Sequence, residues 1–271
     1  MLVGLALFVF PQMVQAQTAW NATDWTEYDT ITIDHTNIGD DLTDFPVYVD
    51  LADLSADFWS TTPTGSTTVG TDIRVTTNDG TLSELPRELV AASSTAETGE
   101  LHFKADSISS TTATTFRIYY NGTTTGAYAA SDTYGAQNVW DTYGAVWHMD
   151  DRTASDQLDS SLNANTAVQA ANGTDALGRL GPGLEFNGNG RYDLNDNITD
   201  NGDRGFSFWY FKRDVAGFNT VFGSASFGDG FRHLNSEDTL FLRVGGSAVA
   251  DTGVLAAGTI FPLSGIIRAG R

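Results

Sequence analysis

The 271-residue sequence predicts an all-β protein made of two β-sandwich domains, the second an incomplete jelly roll. Three observations carry this expectation. Acidic residues are mostly Asp rather than Glu, and Thr, Ser, Gly and Asn are abundant, which disfavours long helices and suits strands joined by turns. From Asp24 onward, short segments alternate apolar and polar residues between turn signals. That periodicity lapses between Asn121 and Gln137, after which strands become more aromatic and turns richer in Gly and Asn.

Taken in order, the elements begin with TITID, where Ile31 and Ile33 share a face. In DFPVYVDL the shared face holds Phe45, Val47, Val49 and Leu51, and the one helical suggestion runs from Leu51 to Trp59. DIRVTT offers Ile73 and Val75, and the Asp79-Gly80 pair that follows suits a tight hairpin turn. ELHFKAD directs Leu101, Phe103 and Ala105 one way and His102 and Lys104 the other, towards water. FRIYYNG repeats the pattern with Phe116, Ile118 and Tyr120. The lapse then marks an exposed connection open to proteolysis, which sets a first domain over residues 17–138 and a second over 139–271.

Residues 1–16 read as the remnant of a secretory signal. The apolar run LVGLALFVF is too short to span a bilayer, and small residues at Val14 and Ala16 suit cleavage before Gln17. The first basic residue is Arg74, so the positively charged leader is expected upstream of Met1. No later segment is long and apolar enough to cross a membrane, and the product is expected to be secreted or held at the cell surface. A formal charge of −20, from 34 acids against 14 bases, repels nucleic acid and anionic lipid. Without cysteine there is no disulfide, thiolate metal site or thiol nucleophile.

The series WTEYDTITID, DLTDFPVYVDL, GTDIRVT, NDG, FRIYYNG and VWDTYGAVWHMDD resembles, over about residues 24–138, the domain of unknown function numbered 2341, found in secreted bacterial and phage-related proteins. That resemblance implies no activity. The following stretch, with YGAVWHMDD, the Asp159-Ser160-Ser161-Leu162-Asn163 turn, LGPGLEFNGNGRYDL and FSFWYFKRD, resembles the opening of a concanavalin A-like, laminin G-type jelly roll. This second resemblance implies a two-sheet sandwich that binds glycans or proteins, sometimes with calcium, and that hydrolyses polysaccharides in some relatives. Such a module needs more residues than 139–271 supplies. The acid-free segment after Asp251 also lacks the expected tryptophan strand, so the domain is expected to be cut short or to end in a shifted frame near Gly258.

The catalytic members of that group carry alternating acids on one strand, because two carboxylates must flank the glycosidic bond. This chain has no such strand, and Glu237 and Asp238 would point to opposite faces, so no catalytic residue is assigned. His35, His102 and His233 are scattered in sequence without a nucleophile motif. Read as a strand, 143–150 puts Ala145, Trp147 and Met149 on one face and Val146, His148 and Asp150 on the other, as a segment docking the second domain on the first. Trp147 is then core or sugar platform, and His148 a metal ligand or a hydrogen-bonded strand residue. Asp193, Asn195, Asp196, Asp200 and Asp203 supply the hard oxygens calcium takes, although Ile198 stands where an EF-hand needs glycine; a solvated turn is the alternative. The expected function is adhesion or binding of a glycan or extracellular protein. A structural spacer, or a fragment of a polysaccharide-active enzyme, are the rival readings.

Overall fold

The computed structural model describes residues 19–61, 70–122, 126–150, 156–194, 204–211, 218–223, 230–234, 239–244, 247–254 and 260–267. The signal-like residues 1–16 lie outside them. The chain divides into two compact units, residues 1–139 and 140–271, and the sheets of both are antiparallel.

The first unit contains β1 (Glu27–Ile33), β2 (Leu42–Asp50), α1 (Ala56–Thr61), β3 (Arg74–Thr77), β4 (Glu84–Leu85), β5 (Arg87–Ser93), β6 (Thr98–Ile108) and β7 (Thr114–Tyr120). They form two sheets, ordered β1-β7-β3-β4 and β2-β6-β5. The inward sets expected from alternation meet in a shared core: Ile73 and Val75, Leu101, Phe103 and Ala105, and Phe116, Ile118 and Tyr120, each at most 4 % exposed. Phe103 and Phe116 meet edge to face at 4.9 Å. Pro46 fits because β2 is an edge strand, where a missing N–H leaves no ladder bond unmade. Phe45 departs from the expected inward set and stays 43 % exposed, directly after Asp44, which has φ +50° and is skipped in an otherwise unshifted β2–β6 register.

Three more expectations change. The helical suggestion resolves into a 3-10 turn over Leu51–Asp53, whose Ala52 N–H donates to the Asp50 side chain, followed by α1, whose Phe58 ring meets Tyr120 at 5.3 Å. The Asp79-Gly80 pair is not a two-residue hairpin turn. The Asp79 carboxylate instead accepts from Thr81 N, Leu82 N and the Thr77 hydroxyl, and the positive φ falls on Leu82. His102 is buried rather than wet, its Nε2 2.8 Å from Glu100 Oε1 and its ring 5.6 Å from Tyr48.

The second unit opens with the hairpin β8 (Ala167–Leu177) and β9 (Pro182–Leu194). After β10 (Arg204–Phe211), the strands β11 (Phe218–Gly223), β12 (Gly230–Leu234), β13 (Thr239–Val244) and β14 (Ser247–Val254) form a four-stranded meander. The last strand, β15 (Ile260–Ile267), returns to pair along the whole of β10. Residues 143–150 are not a strand. They are held as irregular backbone by Asp159, which accepts from Val146 N, Ser161 N, the Ser161 hydroxyl and Asn165 N at 2.8 Å each. Asn163 and Asn165 add side-chain bonds to the Tyr143 and Gly144 carbonyls, so Asp159 is the main but not the sole tie of this turn. Asp159→Ala is therefore expected to destabilise the second unit by about 2–3 kcal/mol, read as earlier loss of its part of the thermal unfolding curve.

Candidate functional site

The first candidate grows out of β3. Alternation puts Ile73 and Val75 in the core, so Asp72 and Arg74 should face water, yet both are 0 % exposed. What covers them is the glycine- and tyrosine-rich stretch expected to be an exposed connection. Residues 126–138 lie on the first unit as a strap: Gly126 N donates to Thr71 O, and Arg87 N donates to Tyr134 O. The strap's Tyr128 ring sits 4.6 Å from the Arg74 guanidinium, and Trp25 sits 4.7 Å away on its own ring. Arg74 spends its donors on backbone carbonyls, Nη1 on Thr71 and Ile73 and Nη2 on Gly126.

Two carboxylates and a second guanidinium complete the cluster. Glu84 accepts from Trp20 N at 2.6 Å and from the Tyr128 hydroxyl at 2.9 Å, and lies 3.5 Å from Arg74 Nε. Asp72 accepts from Asn121 N, and the Trp25 indole donates to the Asp72 carbonyl. Arg87 stands 5.6 Å from the Tyr128 ring. Burial pushes the Asp72 and Glu84 carboxyls up, against hydrogen bonds from Asn121 to the one and from Trp20 and Tyr128 to the other. Burial, and then the neighbouring Arg74, bring Arg87 down to about 10. The Tyr128 phenol is pushed up by burial and by Glu84. The cluster ties the strap and the Trp20–Trp25 segment to β3, largely through backbone groups, and leaves Asp72 Oδ1 and Arg87 Nε and Nη2 buried without a hydrogen-bond partner among the described residues.

A pH dependence follows from these carboxyls. Their folded pKa values lie above the unfolded ones near 3.9 and 4.3, so the folded state holds their protons longer. That stabilisation is complete below the unfolded values and is lost as pH rises through the folded ones. The first unit should therefore melt higher near pH 5 than near pH 8, and Asp72→Asn should flatten the slope of melting temperature against pH. An unchanged slope in the variant removes Asp72 as its cause.

The sequence-derived site residues fall elsewhere. Asp193 is exposed on β9, opposite Val168, whereas Asn195, Asp196, Asp200 and Asp203 lie outside the described residues. Trp147 is partly buried and donates to Asn165 O, and the His148 ring lies 5.7 Å from Trp140. His35 sits in a 3-10 turn 3.6 Å from Asp34, and His233 lies on β12. Glu237 and Asp238 lie outside the described residues.

The second candidate was not singled out by sequence reasoning. On β10, Phe206, Phe208 and Tyr210 are partly buried, while Trp209 and Phe211 on the other face are 46 % and 50 % exposed. Two residues apart on a strand, they stand about 7 Å from one another. The Arg179 guanidinium lies 5.9 Å from the Trp209 ring centre. Two aromatic side chains open to solvent on one sheet face, with a cation at the margin, form a platform for an apolar, hydroxyl-edged ligand. The available signal was the alternation in FSFWYF, which aromatic residues at five of its six positions obscure. No family model, no curated protein and no solved structure matches the chain.

Proposed function

We propose that the protein is a non-catalytic, exported adhesion protein whose second unit, a jelly roll of the concanavalin A-like kind, binds a neutral glycan on the Trp209–Phe211 face. The observation that carries this reading is the half-exposure of both rings on one face of β10. A pyranose has a flat C–H face that stacks on an aromatic ring and hydroxyls that remain hydrated at the rim. The charge of −20 disfavours anionic partners, which points to a neutral glycan rather than nucleic acid or an acidic polymer. The concanavalin A-like resemblance favours a glycan or protein ligand, and the resemblance over residues 24–138 favours an address outside the cell.

The test is a glycan array with the full chain, followed by titration of the parent and of a Trp209→Ala plus Phe211→Ala variant against the best ligand. The parent is expected to retain neutral glycans, and loss of both rings to weaken binding by about tenfold or more. Binding that is indifferent to both substitutions contradicts the placement. An array on which nothing is retained favours the spacer, and release of reducing sugar favours the enzyme.

A further inference from the structure

A depression of about 260 Å³ on the first unit opens between the β3–β4 loop, the end of β6 and the β6–β7 turn. Asn78, Asp79, Asp106, Ser107, Thr112 and Thr115 line it together with Ala113 and Phe116, so its wall is more polar than apolar and offers hydroxyl, amide and carboxylate groups beside some apolar surface. Its lip is rigid, because Asp79 Oδ1 accepts the three bonds that shape the loop. Asn78 leads out of it: Nδ2 donates to the Thr115 hydroxyl at 3.0 Å, and Oδ1 accepts from Arg117 Nε at 2.7 Å. Arg117 in turn donates to the Tyr119 hydroxyl at 3.1 Å and lies over the Tyr28 ring at 4.3 Å. Tyr28 is 40 % exposed and braced at 5.1 Å by Tyr119, which meets Trp20 at the same separation. A polar hollow thus continues along the sheet into a fixed guanidinium and a half-exposed ring.

We propose that this hollow and the Asn78–Arg117–Tyr28 row form a second carbohydrate subsite, separate from the β10 face, for a neutral oligosaccharide. The hollow meets one sugar's hydroxyls with both donors and acceptors, and Tyr28 gives the next sugar a ring to lie against. Asp79 and Asp106 at the hollow repel phosphate and uronate. A cation finds Asp79 Oδ1 already committed to three donors.

The experiment is affinity electrophoresis of the full chain through gels containing galactomannan, xyloglucan or mixed-linkage β-glucan, with polygalacturonate as the anionic comparison. It is run in the Trp209→Ala plus Phe211→Ala background, so failure here and failure of the β10 face are read separately. At least one neutral polysaccharide is expected to retard that background. Tyr28→Ala and Arg117→Met should each weaken the retardation about fivefold to tenfold. Asp106→Ala changes an exposed rim residue that braces none of the row, and should weaken it while leaving the melting temperature unchanged. No retardation by any neutral polymer, stronger retardation by polygalacturonate, or retardation that all three substitutions leave intact overturns the proposal.

Discussion

Arg74→Ala is expected to lower the melting temperature of the first unit by about 10–20 °C, corresponding to about 3–5 kcal/mol. The side chain is 0 % exposed and lies between two aromatic rings, 3.5 Å from a carboxylate that is itself only 4 % exposed. Removing it strands Glu84 in a buried site, leaves the carbonyls of Thr71, Ile73 and Gly126 short of donors, and opens a gap between Trp25 and Tyr128. Lysine at 74 cannot replace the fork, since one ammonium on a thinner stem cannot lie flat between two rings while reaching three carbonyls. Most of the loss is the stranded acid rather than a strong pair. Adding Glu84→Gln to Arg74→Met should accordingly recover part of it, and calorimetry of the four proteins in the cycle checks this. If Arg74→Ala melts within about 2 °C of the parent, the cluster does not hold the unit together.

Trp25→Ala should have an effect of similar size, about 3–5 kcal/mol. Trp25 is 1 % exposed, stacks on Arg74, and donates its indole N–H to the Asp72 carbonyl. It also rests on Gly122, where an added Cβ would run into the indole ring, which explains a glycine directly after the left-handed Asn121. Trp25→Phe keeps an aromatic face but loses the hydrogen bond and part of the buried ring volume, so a loss of about 2 kcal/mol, smaller than that of Trp25→Ala, is expected. Chemical denaturation of the two variants checks that order.

The first unit's core was legible because period two names the residues that share a face, and Leu101, Phe103 and Ala105 are 0 % exposed, as that pattern requires. The same pattern is silent on what covers the other face. His102 is expected to face water because polar residues in alternating strands usually do, and the same rule leaves the burial of Asp72 and Arg74 unforeseen. The strap that buries Asp72 and Arg74 has no period at all, and its ties are single bonds to distant residues, such as Gly126 to Thr71. Short-range turn chemistry also misled at Asp79, where a side chain that accepts three donors outweighs the glycine beside it. Trp209 and Phe211 were hidden by the aromatic residues between and before them, since a strand in which nearly every position is aromatic does not reveal which face is open.

Whether residues 126–138 belong to the first unit decides both the cluster's burial and the unit's extent. Hydrogen exchange of the full chain, read by mass spectrometry on peptides covering that stretch, tests it most directly. Gly126 and the backbone turns of Asp132, Gly135, Gln137 and Val139 donate to protein carbonyls, so peptides across the strap should exchange slowly and lose protection together with β7 on heating or in the Arg74→Ala variant. Exchange across 126–138 as fast as in an exposed connection, with β7 still protected, would contradict it.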